Sequence, residues 1–335
     1  MSDKEADGSD EHGESKVAVY AALCGNLAIA ISKFGAAIYT GSSAMLSEAI
    51  HSVVDTGNQG LVLLGISRSK KPPDETHPFG YGMEIYFWSF VVAILIFGLG
   101  AGVSFIEGVE KLSHPEPISS FLTNYIVIAL AIVFEGASWI IGLRQFNRQR
   151  GDVGLIRAVR RSKDPTIFTV LFEDTAALLG LLAALLGILA VQFFGWTWAD
   201  GASSIVISVI LALAATGLAL ETKGLLTGEA TSGATVRDIR KLALEEDLVA
   251  GVNELRTMHF GPNDVLVAIS LDFKDSASHD EIERVTSELE VRIRERFQGM
   301  GQIFIETQAN EDHERLRRGE WPKSDVTTKG SAAPA

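Results

Sequence analysis

His51 and Asp55 stand four residues apart in the stretch "SEAIHSVVDTGNQG", residues 47–60. On a helix that spacing puts an imidazole and a carboxylate on one face. Together they supply half of a tetrahedral site for a divalent ion, and mixed nitrogen and oxygen ligands suit Zn²⁺ best. Glu48 falls on the same face, three residues before His51, with three roles open to it: ligand, proton carrier, or buried contact between helices. A second acidic group, Glu173 and Asp174, lies in "TVLFEDTAALLG". Adjacent helical residues point about 100° apart, so at most one of these two aims directly at a shared ion. Glu135, in "IVFEGASWIIG", reads equally as a proton relay and as a structural hydrogen-bonding group. His51, whose reference pKa is near 6.5, is the other proton-pathway candidate. Lys33 lies nearer a helix end, where a long side chain can snorkel, and no function is assigned to it.

The elements that must position these residues are apolar. A charged group at the bilayer centre costs about 2.5–3.5 kcal/mol even on the lenient insertion scale, so such groups normally face a cavity and have a task. The chain has 335 residues, 47% of them hydrophobic, and its apolar residues are concentrated between Val17 and Thr222. Long segments there approach the roughly 20 residues that span the hydrocarbon layer. Six membrane helices are predicted: Val17–Tyr39, Ala44–Ser67, Met83–Val109, Ser120–Leu143, Ile167–Phe194 and Asp200–Glu221. Basic residues crowd two connections: Arg68, Lys70 and Lys71 follow the second helix, and Arg144 to Lys163 follow the fourth. The opposite connections hold only Lys111. By the positive-inside rule both termini are cytoplasmic, and the loop charges suit a bacterial inner membrane. Trp196 and Trp198 then fall at the outer interface. The acidic opening, residues 1–16, reads as a disordered tail with neither signal-peptide features nor an Arg-rich mitochondrial presequence.

Composition excludes other classes. The single cysteine, Cys24, rules out a disulfide framework within the chain and a Cys-only zinc cluster. A formal net charge of -13 argues against a nucleic-acid partner, which needs clustered Lys and Arg. After Leu225 the texture turns to alternating charge. Residues 231–309 read helix, strand, strand, helix, strand, with a turn at "GPND". Ser278 and Glu281 have capping-box spacing. That order predicts a small α+β domain with its helices on one face of a sheet. From Asn310 to Ala335 the composition is that of a disordered tail.

With these residues in place, the chain resembles the cation diffusion facilitator family of divalent-metal/proton antiporters. The likeness is carried by "NLAIAISKFGAAIYTGSSAMLSEAIHSVVDTGNQ", "HPFGYGMEIYFWSFV", "LFEDTAALLG" and "WADGASSIVISVILA", in that order. "FEGAS" and "DPTIFTVLFEDTAALLG" are most similar to the branch containing the mitochondrial zinc transporter of animals. The resemblance implies six membrane helices, a ferredoxin-like cytoplasmic domain, a homodimer, and one site per protomer between the second and fifth helices. It implies Zn²⁺ as transported substrate and no cofactor. His51, Asp55 and Asp174 fall on the family's ligand positions, and a His at the first of them resembles the zinc-selective members. The partner expected four residues before Asp174 falls on Val170, which cannot bind a metal. Glu173, Glu48 or water are the alternatives for that fourth position. In the loop, Asp74 and His77 stand where some relatives carry an accessory zinc site, but Tyr81 replaces the second His. The soluble-domain positions that carry His in those relatives fall on Asn253, Ser270, Glu283 and Ile305, so that domain is expected to dimerise with little or no metal.

The implied activity is export of Zn²⁺ from the cytoplasm in exchange for protons. Rivals are the same fold carrying Mn²⁺, Fe²⁺ or Co²⁺, and a non-transporting membrane metal sensor or scaffold. An intramembrane metalloenzyme lacks its HExxH-type pair, so a transporter rather than an enzyme is expected.

Overall fold

The computed structural model describes residues 26–115, 117–150 and 163–320. They fall into two compact units, the first made of the residues up to Glu229 with Phe260–Pro262 and the second of the others from Ala230 onward. The expected acidic tail, residues 1–16, lies outside the described residues.

The first unit is helical. Residues 26–40 form α1, followed by α2 (Ser43–Ser69), α3 (Glu84–Ser113), α4 (Phe121–Arg150), α5 (Pro165–Phe194) and α6 (Trp198–Leu226). Four of these, α3 to α6, are long and apolar enough to cross a membrane, and the chain is a helical membrane protein. The expected count of six apolar spans is not met among the described residues, for two reasons. Of α1 only residues 26–40 are described. In α2 the inward positions are Ser47, Glu48, His51, Ser52, Asp55 and Asn58, all buried, and these polar residues depress its hydropathy.

Local chemistry sets the helix ends. Asp164 accepts from the Thr166 amide at 3.0 Å, Pro165 opens α5, and Gly195 ends it in the left-handed region at φ 70°, the ordinary asymmetry of helix termini. α4 continues to Arg150, past the expected Leu143, so the start of that basic connection is helical; residues 151–162 lie outside the described residues. Ser42 caps α2 by accepting from the Met45 amide at 3.2 Å. Asp200, fully buried at the start of α6, adds a second cap from another helix. Its carboxylate accepts from the Ser42 and Ser43 hydroxyls at 2.6 and 3.0 Å and from the Ser43 and Ala44 amides at 2.7 and 3.3 Å.

α3 is interrupted by a π-helical turn at Ile96–Ala101, and Ser208 of α6 donates to the Ala101 carbonyl at 2.8 Å. Further along, α3 and α6 meet at Gly108 and Gly201. A Cβ on Gly108 would lie 2.9 Å from the Gly201 carbonyl oxygen, the close backbone approach that small residues allow between membrane helices. The faces turned away from the bundle are apolar: Leu122, Val133 and Ile141 of α4 are exposed, as lipid contact requires.

The second unit is a small α+β region: α7 (Gly233–Leu244), β1 (Val249–Gly261), β2 (Asp264–Phe273), α8 (His279–Arg296) and β3 (Met300–Thr307). Its three-stranded sheet has order β1-β2-β3, and β2 pairs parallel to β3 with Val267 opposite Ile303. Ile239 and Leu242 of α7 and Val285, Leu289 and Ile293 of α8 pack with Val267, Ile269 and Leu271 to form its core. Ser278 and Glu281 make the expected capping box at the start of α8. One expectation is corrected: the tail begins with a helix, α9 (Asn310–Arg317), that buries none of its residues. Acidic residues in its first turn and arginines in its last complement the helix dipole. Residues 321–335 lie outside the described residues.

Candidate functional site

The polar residues of α2 point into the bundle, and three lie on one face. Glu48, His51 and Asp55 are all buried, at 0%, 1% and 9% exposure. His51 Nε2 lies 3.3 Å from Asp55 Oδ2, but neither ring nitrogen of His51 makes a hydrogen bond, and Asp55 Oδ1 is buried without one. Unpartnered buried acceptors are costly in a low dielectric. Here they present one nitrogen and one oxygen donor to anything positive that reaches them.

A pocket between α1, α2, α4 and α5 brings Asp55 together with Glu135, Ser138, Glu173 and Asp174. The two neighbouring carboxylates of α5 both line it but reach in different directions. Glu173 accepts from Asn58 Nδ2 of α2 at 2.9 Å, and Asp174 accepts from the Ser138 hydroxyl of α4 at 2.8 Å. His51 is not part of the wall and is tied to the pocket through Asp55. Among the described residues, no group of three or more His, Cys, Asp or Glu side chains is arranged to hold a metal ion. Assembly of a full ligand shell therefore requires side chains to turn inward.

Lys33 corrects the sequence reading. It does not snorkel: it is fully buried, donating to Ser52 Oγ at 2.8 Å, Glu48 Oε2 at 3.2 Å and Glu135 Oε1 at 3.4 Å. Glu48 is thereby engaged in an ion pair. Gly180 of α5 makes room for that carboxylate, because a Cβ there would collide with Glu48 Oε1. The only signal for the Lys33 network in the sequence was its unusual charge within an apolar helix. Its partners lie 15, 19 and 102 residues away, beyond any local pattern.

The loop residues Asp74 and His77 line no part of this pocket. Asp74 accepts from the Tyr81 hydroxyl at 2.7 Å, the Thr76 hydroxyl at 2.8 Å and the His77 amide at 2.7 Å. The hydrogen bond from Tyr81, then that from Thr76, holds its carboxyl well below the usual carboxylate range. The tyrosine that replaces the second His thus uses one carboxylate oxygen in closing the loop. In the second unit Asn253 donates to the Gln308 carbonyl at 2.8 Å and to Ser270 at 3.4 Å, so two of the degraded accessory positions bond to each other.

A bundle of apolar helices around a buried acidic pocket is the architecture of an ion transporter, and the comparison with known proteins identifies the class. The family model of the cation efflux transmembrane domain matches residues 19–227, and the chain belongs to that family. Within it the chain stands near the animal mitochondrial zinc branch. It is 34% identical to the proton-coupled zinc antiporter SLC30A9, mitochondrial, of Homo sapiens over 78% of this chain and 46% of that protein. It is 31% identical to metal tolerance protein C4 of Arabidopsis thaliana, over 79% of this chain and 58% of that protein. Against the cation-efflux pump FieF of Shewanella oneidensis the identity is 25%, over 84% and 90% of the two chains. The chain spans about half the length of the animal relatives it matches.

Proposed function

We propose that the protein carries Zn²⁺ out of the cytoplasm in exchange for protons, by alternating access at the pocket between α2 and α5. The observation that carries this reading is the juxtaposition of Asp55, Glu173 and Asp174 in one membrane pocket, with His51 buried against Asp55 and making no hydrogen bond. The names of the animal relatives, proton-coupled zinc antiporters, support the choice of substrate and of coupling.

The chemistry of exchange follows from the donors. A metal binds only a neutral imidazole and deprotonated carboxylates, so metal and proton compete for the same atoms of His51, Asp55 and Asp174. Protons arriving from the far side release the ion, and their departure on the near side restores the site. Glu173, held by Asn58, and Glu48, held by Lys33, are the less available carboxylates. In this reading six helices cross a bacterial inner membrane with both termini cytoplasmic, and the second unit is a ferredoxin-like domain that joins two protomers. Asp74 and His77 serve to close their loop.

Purified protein in liposomes carrying a pH-sensitive dye tests the reading. Native vesicles are expected to move zinc with an opposing proton flow, and Asp55→Ala and Asp174→Ala to reduce that flux at least about a hundredfold, as loss of a ligand in a poorly solvated site implies. Equal flux in native and variant vesicles would remove the site.

A further inference from the structure

We propose that Glu135 is the side chain that completes the cation site, supplying from α4 the donor that Val170 of α5 does not. The proposal rests on the transport reading above. It starts from a surplus: around Lys33, two carboxylates share one ammonium. They do not share it equally. Glu48 is completely buried and lies 3.2 Å from the ammonium, whereas Glu135 lies at 3.4 Å and its side chain is 14% exposed. Removing one partner of a buried ion pair is strongly destabilising. Were Glu135 to turn away, Lys33 would keep Glu48 and Ser52, and no buried charge would be left alone. Glu135 is therefore the partner that can be given up.

Its position fits the destination. Glu135 and Ser138 are three residues apart on one face of α4; Ser138 already reaches Asp174 at 2.8 Å, and both line the pocket with Asp55. Val170 lies beside α4 at Gly142, 3.7 Å from where a Cβ would stand, two turns of α4 away from Glu135, so the α4 carboxylate approaches an ion from the other side of Asp174. A carboxylate from α4 takes the missing role. Independently of this acidic cluster, Asp55 Oδ1 is buried in the same wall with no hydrogen-bond partner, an acceptor that Lys33 does not satisfy. A divalent ion carries twice the ammonium's charge and draws several oxygens to about 2.0–2.2 Å at once. It outcompetes Lys33 for Glu135 and gathers His51, Asp55, Asp174 and Glu135 into one shell. On its release Glu135 returns to Lys33, which spares the pocket one further carboxylate without a cation.

Calorimetric titration of the full chain in detergent with zinc and with cadmium decides the matter, comparing native protein with Glu135→Gln, Glu135→Cys and Asp174→Ala. Glu135→Gln should weaken zinc binding at least about tenfold. Glu135→Cys should raise the ratio of cadmium to zinc affinity by about tenfold, because a thiolate prefers the softer ion. That ratio is read on the folded fraction alone, and a structural role for Glu135 would not move it. An unchanged ratio overturns the proposal, even if Glu135→Gln binds weakly. If Glu135→Gln binds as native while Asp174→Ala does not, Glu135 is no ligand and the transport site stands without it. If Asp174→Ala also binds as native, the transport-site reading falls as well.

Discussion

Lys33 shows how the interior of an apolar bundle compensates buried carboxylates. Its ammonium uses its donors on Ser52, Glu48 and Glu135; Ser52 and Glu48 are buried and the Glu135 side chain is 14% exposed. Such a pair is worth little as a pair, but breaking it leaves a charge in a poorly solvated place. Lys33→Met is therefore expected to destabilise the folded protein by about 3–5 kcal/mol, seen as a lower thermal midpoint or a lower folded yield in detergent. Adding Glu48→Gln to that variant should restore most of the loss, since the stranded charge is then gone. A single variant as stable as the native protein would show that the bundle does not depend on this pair. Sequence alone put His51 and Asp55 together, because they are neighbours on one turn. It did not reveal the fate of Lys33, because a long aliphatic stem in an apolar helix reads the same whether it reaches outward to water or across to partners on two other helices.

At the level of elements, the helical unit is fastened by contacts that join distant segments. Asp200 is the clearest: a buried carboxylate of α6 sits on the N-terminus of α2, where the helix dipole and free amides favour negative charge. Ser42 caps the same terminus by the ordinary local route. Removing the local cap by Ser42→Ala should cost about 1 kcal/mol. Asp200→Ala should cost more, about 2 kcal/mol, because it strips two amides and two hydroxyls of their acceptor and uncouples α6 from α2. Thermal melts of the two variants in the same detergent provide the ranking; the reverse order would mean that the cross-helix cap is incidental. The same distinction explains what could be read from the chain. Ser278 with Glu281, Pro165 behind Asp164, and the alternation of Val265, Val267 and Ile269 are local signals, and the elements they predict are present. The π-helical turn at Ile96–Ala101, the Gly108–Gly201 approach and the Asp200 cap depend on a neighbouring helix. The extra helix Asn310–Arg317 was hidden for another reason: it has no apolar face, and composition without periodicity reads as a tail.

For the whole molecule, the distribution of charge implies a sidedness that transport needs. Lys70 and Lys71 follow α2, and Arg144 begins the basic stretch at the end of α4, whereas the connections on the other side hold Lys111 alone. Lys and Arg near the ends of membrane helices are retained on the cytoplasmic side, so the connection after α2 is predicted to face inward and the one after α3 outward. On the proposed function, the pocket of Asp55 and Asp174 then receives its ion from the side of the basic connections. Single cysteines test this directly. In a background with Cys24→Ser, Ser113→Cys in intact cells should react with a membrane-impermeant maleimide, and Glu75→Cys should react only after the membrane is opened. Both positions are exposed on the protein, so a silent site reports the membrane and not burial. Labelling of Glu75→Cys from outside, with Ser113→Cys protected, would invert the topology. The same pocket would then load from the far face, and the direction proposed for zinc would have to be reversed while the ligands stayed the same.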